Sequence, residues 1–509
     1  MTPHETRIRR AVPLTAGGVS LLAYVLTVLP GMAFGDWGEM QTVPHVVGVA
    51  HPTGYPTYVV LAWLAQLVPL GSVALRANLL SAVLVALTVA TTSAILLRLG
   101  VRPVLAIAGS LALGAVGTIW ASATIAEVNA LHLLFVALLI HRALVWEERR
   151  SPIDLVLGGL LIGLSLGNHL LTAFVAPFIV VFVVWVGRRD IAKRPWIILP
   201  AAGAVLLGLA TYLYIPIAAA LDPPLAYNHP VTSEALWWLV SGRQFRDQFE
   251  FLTPAGPSEL VSSLPALWAV LVERATVVLP ALGVVGLFLL VLRRPAFGLM
   301  VIGILVTGLY IWANYLRLEH YLLVPWLLLA IGATYAVEML VRALARTTAE
   351  RWRPVESALV VGIAIVAVVG LGATNWRTSD RSAERGGEEY VTAMFEALPP
   401  NAAILAPWDA STPLWHAQFV LGERPDVLIV DDTNIVYEGW GTREQRIASL
   451  ICERPVYILR LADAELDATR AEYEVEPFIE VPVGYGGPTA TATRPVMRVT
   501  PRDAAECGA

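Results

Sequence analysis

The sequence predicts a mainly α, polytopic membrane protein of about eleven transmembrane helices, followed by a small extracytoplasmic α/β domain. Three observations carry this. Of 509 residues, 57% are hydrophobic and only 15% charged, against about 25% charged in soluble chains. Apolar runs of about 20 residues, the length that crosses a bilayer, recur through the first 375 positions. From Ser379 onward the composition becomes that of an ordinary soluble domain.

Taken in order, spans are expected near 12–34, 73–97, 103–121, 127–146, 153–168, 170–187, 196–219, 274–292, 296–313, 320–341 and 355–374. The run 56–70 is short for a span and suits a helix lying along the interface. The N-terminus reads as a start-transfer anchor, because Arg7, Arg9 and Arg10 precede an apolar run too long for a cleaved signal. Cations occupy every second boundary: Arg98/Arg102, Arg142/Arg149/Arg150, Arg188/Arg189/Lys193/Arg194, Arg293/Arg294 and Arg342/Arg346/Arg351/Arg353. By the positive-inside rule the N-terminus is cytoplasmic, while the first loop and the C-terminal tail face outside. The 221–263 loop interleaves Trp237, Trp238, Phe245, Phe249 and Phe251 with Arg243, Arg246 and Asp247, the pattern of an interfacial amphipathic segment.

The membrane region is expected over 1–375 and the soluble domain over 380–509. Apolar runs at 402–406, 427–430, 455–459 and 496–500 alternate there with helical stretches at 388–398, 411–421 and 442–451, an α/β pattern. Cys452 and Cys507 can pair in an oxidising compartment, but their spacing does not decide it. The net charge of -5 gives no reason to expect nucleic acid. There is no Gly-rich phosphate loop, internal repeat or metal-spaced His cluster.

The stretch that draws most attention is the first outer loop, 35–72, with Gly35-Asp36-Trp37-Gly38-Glu39-Met40 and His51-Pro52-Thr53-Gly54-Tyr55-Pro56. Asp36 and Glu39 are the only closely spaced carboxylates in the first hundred residues, and no Lys or Arg occurs between Ala11 and Leu75. In a helix their i, i+3 spacing puts both on one face. They read as catalytic acids, as a solvated loop pair, or with Asp36 as the N-cap of a helix beginning at Trp37. His51 and Tyr55 are candidates for substrate contact, or part of a Pro/Gly turn that redirects the chain. Glu127, with Asn129, and His169, beside Asn168, stand at other outer boundaries, where helix capping or a polar link explains them equally. Arg317, in Asn314-Tyr315-Leu316-Arg317-Leu318-Glu319-His320-Tyr321, breaks the positive-inside pattern. Next to His320 and Tyr321 it suits a phosphate oxyanion, the alternative being an ion pair with Glu319 or Asp36. Arg76 and Asn78 either extend that surface or snorkel. Glu273 and Arg274 are placed at the interface without a role.

These residues resemble a known signature. Gly35-Asp-Trp-Gly-Glu-Met, Gly48-Val-Ala-His-Pro-Thr-Gly-Tyr-Pro and Arg76-Ala-Asn-Leu-Leu-Ser81 resemble the transmembrane-protein-260 family of C-type, polytopic glycosyltransferases, over about residues 30–100. Weaker echoes stand at Trp120…Glu127-Val128, Gly167-Asn168-His169, Arg317…His320-Tyr321 and, in the tail, Trp408-Asp409 with Arg424-Pro-Asp426. The resemblance implies a C-type fold and transfer of a sugar, mannose-like, from a polyprenyl-phosphate donor to an extracytoplasmic protein or glycan. Asp36 is then the catalytic acid by position. Asn129 departs from the Glu-x-Tyr of many C-type enzymes and leaves the part of Glu127 in substrate contact open.

Under this reading Asp36 is the general base, Glu39 orients the acceptor or joins Asp36 at a divalent cation, and no cofactor is demanded. Arg317, with His320, His51 and Arg76, receives the donor phosphate; Tyr55, Glu127, Asn129, His169 and Tyr321 contact substrate. The rivals are a lipid-linked sugar transporter or flippase, a non-catalytic scaffold, and a lipid phosphotransferase. A transporter would set ionisable groups near mid-membrane, whereas the charges here cluster at boundaries.

Overall fold

The computed structural model describes residues 3–248, 256–315, 317–347, 353–432, 441–460, 463–484, 491–503 and 507. Phe249, Phe251 and Arg351, named above, lie outside these. The chain enters the bilayer through α1 (Pro3–Thr27), then forms α2 (Gly35–Thr42) and α3 (Pro56–Gln66) before the long α4 (Val73–Arg98). At eleven residues α3 is too short to span. Tyr58, Val59 and Ala62 face inward, while Trp63, Leu64 and Leu67 stay exposed.

The stretch expected as one span at 103–121 is instead two helices, α5 (Pro103–Gly114) and α6 (Gly117–Ala123), bent by 73°. After α7 (Val128–Arg149) come α8 (Pro152–Leu166), α9 (Thr172–Lys193), and α10 (Ile198–Leu209) with α11 (Tyr214–Ala219). The connection after α11 carries α12 (Ser233–Val240) and α13 (Gly256–Ser262). A second bent pair follows, α14 (Leu264–Ala275) and α15 (Val278–Arg293), at 110°. The bundle closes with α16 (Pro295–Asn314), α17 (Leu323–Thr347) and α18 (Arg353–Ser379). Among the described residues eight helices are long and apolar enough to cross a membrane, and ten if each bent pair is one span. The eleventh expected span is the fifteen-residue α8, apolar but short. The protein is thus a multi-pass membrane protein.

One end of the bundle is laced by arginine. Arg102 and Arg342 share the buried Glu338, Arg142 holds the buried Asp154 at 2.8 Å, and Arg98 and Arg294 pair with Glu148 and Glu147. Each buried carboxylate has a guanidinium partner, without which it would be strongly destabilising. The other end carries α2, the connections after α8 and α16, and the soluble domain. The alternation read from the sequence is therefore a division between two ends of one bundle.

The soluble domain adds α19 (Gly386–Ala397), β1 (Ala403–Ala406), α20 (Trp408–Phe419), β2 (Leu428–Asp431), α21 (Arg443–Leu450), β3 (Val456–Leu459), α22 (Asp467–Glu472), β4 (Glu474–Gly484) and β5 (Thr491–Thr500). The sheet order is β2-β1-β3-β5-β4, with β1 parallel to both β2 and β3 and the last two pairings antiparallel. β4 was not among the expected strands; its outer residues are polar or proline, so no apolar run marks it. Cys452 and Cys507 are bonded to each other. The domain does not stand apart from the membrane region. Met32 and Phe34, just before α2, are buried in its core with Tyr390, Leu414 and Val481, and Met32 N–H donates to Glu388 at 3.0 Å.

Helices α15 and α17 cross at glycines: a Cβ on Gly286 would lie 1.7 Å from the Gly332 carbonyl oxygen. Such contacts let backbones approach and gather dispersion energy where lipid offers no hydrophobic drive. Gly286→Val should force the pair apart and destabilise by about 1–3 kcal/mol or more, read as a lowered melting temperature in detergent. Gly362→Val on α18, where a Cβ meets nothing within 4 Å, should leave it unchanged.

Candidate functional site

The site is built on α2, which is held by an amide network. Gln41, fully buried, accepts from Ala33 N–H at 3.0 Å and donates to the Gly31 carbonyl and to Asn78 at 2.9 Å. Asn78 Oδ1 also accepts from Ala126 N–H at 2.8 Å, and its Nδ2 donates to the Leu29 carbonyl at 2.8 Å. One asparagine on α4 thus fixes the end of α1, the acidic helix and the start of α7. The sequence left Asn78 either on a basic surface or snorkelling; it is wholly enclosed.

Asp36 and Glu39 sit a turn apart but at different depths. Glu39 is 1% exposed. Its Oε1 accepts from His51 N–H at 2.8 Å and its Oε2 meets His51 Nδ1 in a short contact. Both of its oxygens are thus engaged by His51. Among the described residues no group of three His, Cys, Asp or Glu is arranged to hold a metal ion. Asp36 is exposed, and Oδ1 accepts one hydrogen bond, from Trp408 Nε1 at 3.2 Å.

His51 is read as an imidazolium from its partners. Nδ1–H donates a hydrogen bond to Glu39 Oε2. Tyr55 donates its hydroxyl proton to the Pro52 carbonyl at 3.1 Å, so Nε2, 3.0 Å from that hydroxyl, is the donor there. Burial pushes the Glu39 carboxyl up and is countered only in part by His51. Burial alone would push the imidazole down, but the charges of Glu39 and Asp36 outweigh it and raise His51 to about 9. The pair therefore retains a proton well above neutral pH. Burial lifts the Tyr55 hydroxyl far above its usual range, with Asp36, Tyr321 and Glu39 adding to it. Tyr55 holds a left-handed backbone, φ +43°, which disfavours a non-glycine residue by about 1–2 kcal/mol; strain of this kind collects at functional sites.

Rings continue inward from the mouth. Trp408 packs edge-on against His51 at 5.7 Å, His51 against Tyr55 at 5.0 Å, Tyr55 against His169 at 5.7 Å, and His169 against His132 at 5.7 Å. His169 is held neutral by burial, with the nearby histidines in support. Beyond lies an apolar cavity within the bundle, lined by Asn129, His132, Phe174, Ile304, His320 and Tyr321. Against the soluble domain, with Glu39 in its wall, lies a second cavity of about 250 Å³. Its walls include Val49, Tyr227, Trp408, Trp415, Gln418 and Asp431.

Glu127 is both cap and bridge. Its Oε1 accepts from the backbone and side chain of Asn129 at 2.9 and 2.8 Å, and its Oε2 from Trp37 Nε1 at 2.9 Å. Both named arginines are engaged elsewhere. Arg76 donates to the carbonyls of Gln66, Val68 and Gly71, clamping the turn after α3. Arg317 pairs with Glu259, and neither described cavity is lined by it. The two partners expected for it are otherwise bonded: Glu319 by Arg274 and Thr118, Asp36 by Trp408. That also gives Arg274 a structural role. Sequence reading had no signal for Gln41 or His132. Trp408 was visible as a motif but without a place beside Asp36.

Residues 36–191 match the model of the protein O-mannosyl-transferase TMEM260 N-terminal domain, as the first-loop motifs led one to expect. Mouse (Mus musculus) protein O-mannosyl-transferase TMEM260 is 31% identical over 210 residues, 39% of this chain and 29% of the mouse protein. The match thus spans under a third of that relative. Among solved structures, ArnT from Cupriavidus metallidurans superposes over 97% of this chain and 98% of its own with a TM-score of 0.56 at 12% identity; it has also been solved bound to undecaprenyl phosphate. The oligosaccharyltransferase AglB of Archaeoglobus fulgidus, in complex with an inhibitory peptide and a dolichol-phosphate, covers 90% of this chain and 70% of its own with a TM-score of 0.54 at 11% identity. The fold is that of the C-type polytopic glycosyltransferases.

The raised His51 gives a signed expectation. Its folded value of about 9 exceeds the unfolded value of about 6.5, so its stabilisation is complete below pH ~6.5 and lost as pH rises through ~9. Melting temperature should fall across that window, and Glu39→Gln, which removes the partner charge, should flatten the fall. A wild-type curve level from pH 6.5 to 9.5, measured by thermal unfolding in detergent, would contradict the protonated pair.

Proposed function

We propose that this multi-pass protein of C-type glycosyltransferase fold transfers a sugar, mannose-like, from a polyprenyl-phosphate carrier to a hydroxyl of an extracytoplasmic protein or glycan. The observation that carries the reading is the place of Asp36. It is an exposed carboxylate on the segment that matches the transferase domain, one turn from Glu39 and bonded to Trp408, both of which line the cavity against the soluble domain. The carrier phosphates bound by ArnT and AglB support a lipid donor, and the name of the mouse relative supports mannose and a protein acceptor. The positive-inside rule favours a cytoplasmic Arg-rich end of the bundle, which supports an outward-facing Asp36. Nucleotide sugars are made in the cytosol, so a donor carried within the bilayer meets the need of an outward-facing site.

The donor lipid lies along the inner cavity, its headgroup at Asn129, His320 and Tyr321. The acceptor hydroxyl enters from the cavity against the soluble domain. Its oxygen attacks the anomeric carbon as Asp36 takes its proton; the bond from that carbon to the phosphate oxygen breaks, and the electron pair leaves with the phosphate. A single displacement inverts the anomeric configuration. The imidazolium of His51, fixed by Glu39 and bonded to Tyr55, supplies buried positive charge facing the leaving phosphate. Arg317 is bound to Glu259 by a half-exposed ion pair, an interaction commonly worth under about 1 kcal/mol. The anionic phosphodiester of the donor, which becomes a dianionic monoester as it leaves, can draw it away.

The test is transfer of labelled mannose from synthetic polyprenyl-phosphate-mannose in membranes, at matched expression. Asp36→Asn should lower the rate by about 10²–10⁴-fold, the usual contribution of a placed proton acceptor. Undiminished transfer would remove the base, and translocation without transfer would favour a flippase. Arg317→Gln should raise the donor KM about tenfold, the scale of one charge-assisted hydrogen bond, with kcat little changed.

A further inference from the structure

We infer that Trp408, on the soluble domain, is a positioning residue that aims the Asp36 carboxylate through its indole N–H. This rests on the proposed transferase reading and adds to it a working part supplied by the C-terminal domain.

Asp36 is exposed and accepts only the Trp408 N–H among the described residues. An unheld surface carboxylate samples several rotamers, whereas proton abstraction needs one geometry. The indole bonds Oδ1 and leaves Oδ2 to take the proton.

The donor itself is fixed. Trp408 opens α20 directly beyond the carboxyl end of β1, whose flanking strands β2 and β3 are parallel to it; this end of a parallel sheet is where α/β folds place functional groups. Its ring is enclosed edge-on by His51, Tyr227 and Trp415, with centroids at 5.7, 5.8 and 5.4 Å. Helix α20 lies against α2 closely enough that a Cβ on Gly38 would come within 2.7 Å of Thr412 Oγ1, and Thr42 Oγ1 is 3.2 Å from His416 Nδ1. With Met32 and Phe34 in the soluble-domain core, the domain is seated on the acidic helix and serves as one wall of the site.

The experiment uses the full chain in membranes with polyprenyl-phosphate-mannose, varying donor concentration. Trp408 is replaced by β-(3-benzothienyl)alanine, which keeps the ring shape and puts sulfur where the N–H was, and in parallel by Phe. Melting temperature and donor KM are followed with kcat. The expected result for the isostere is a kcat lowered about tenfold or more, the scale of a hydrogen bond to a charged group, with donor KM and melting temperature unchanged. A wild-type kcat in the isostere overturns the inference, even if Phe lowers activity together with melting temperature, because packing alone would then explain Trp408. A change confined to KM overturns it too. Asp36→Asn run alongside separates the levels: if it is inactive while the isostere is normal, only the role of Trp408 falls; if it is active, the base reading falls.

Discussion

The buried pair of Glu39 and His51 is the constraint on which the site depends. A carboxylate 1% exposed is tolerated only with a partner that returns the hydration it has lost, and His51 does so twice, from its backbone and its ring. That requirement folds the 45–55 segment back on α2. It brings Tyr55 to the head of α3, and the row of rings that starts at His51 then reaches His169 and His132. Asp36, one turn earlier, needs no such partner and stays at the mouth.

Around this pair the fold uses two kinds of fixation. Inside, neutral amides do the holding: Gln41 and Asn78 satisfy carbonyls and N–H groups at the broken ends of three helices, where bare polar backbone would be costly. At the opposite end of the bundle, guanidinium–carboxylate pairs perform the same service for Glu338 and Asp154. The outer mouth is left with exposed or half-exposed charges, Asp36 and Arg317 among them, which can change partners at low cost. Rigid support beneath exchangeable groups is the arrangement that the proposed transfer would need.

Legibility in the sequence followed the length scale of the signal. Spans were readable because each apolar run reports its own environment; the misreading at 103–121 arose because a bend between Gly114 and Gly117 leaves hydropathy unchanged. In the soluble domain β1, β2, β3 and β5 announced themselves as short apolar runs, whereas β4, with Glu474, Glu476 and Glu480 facing out, did not. In the site, Asp36, Glu39, His51 and Tyr55 were conspicuous as polar residues in a cation-free segment, and they do come together. The partners of Arg317 and Arg76 were not legible, since Glu259 lies 58 residues from Arg317 and the carbonyls that hold Arg76 carry no side-chain signature.

By itself the sequence determined that this is a many-spanning helical protein with its arginines at alternate boundaries, an acidic first loop and an α/β tail. Those features are local: hydropathy, charge and turn chemistry act within a few residues. Tertiary structure alone decided that Glu39 is buried and Asp36 is not, that Asn78 is a latch, and that Trp408 reaches across 372 positions to the first loop. Depth and long-range partnership arise from how helices pack against one another, and no window of sequence contains that information.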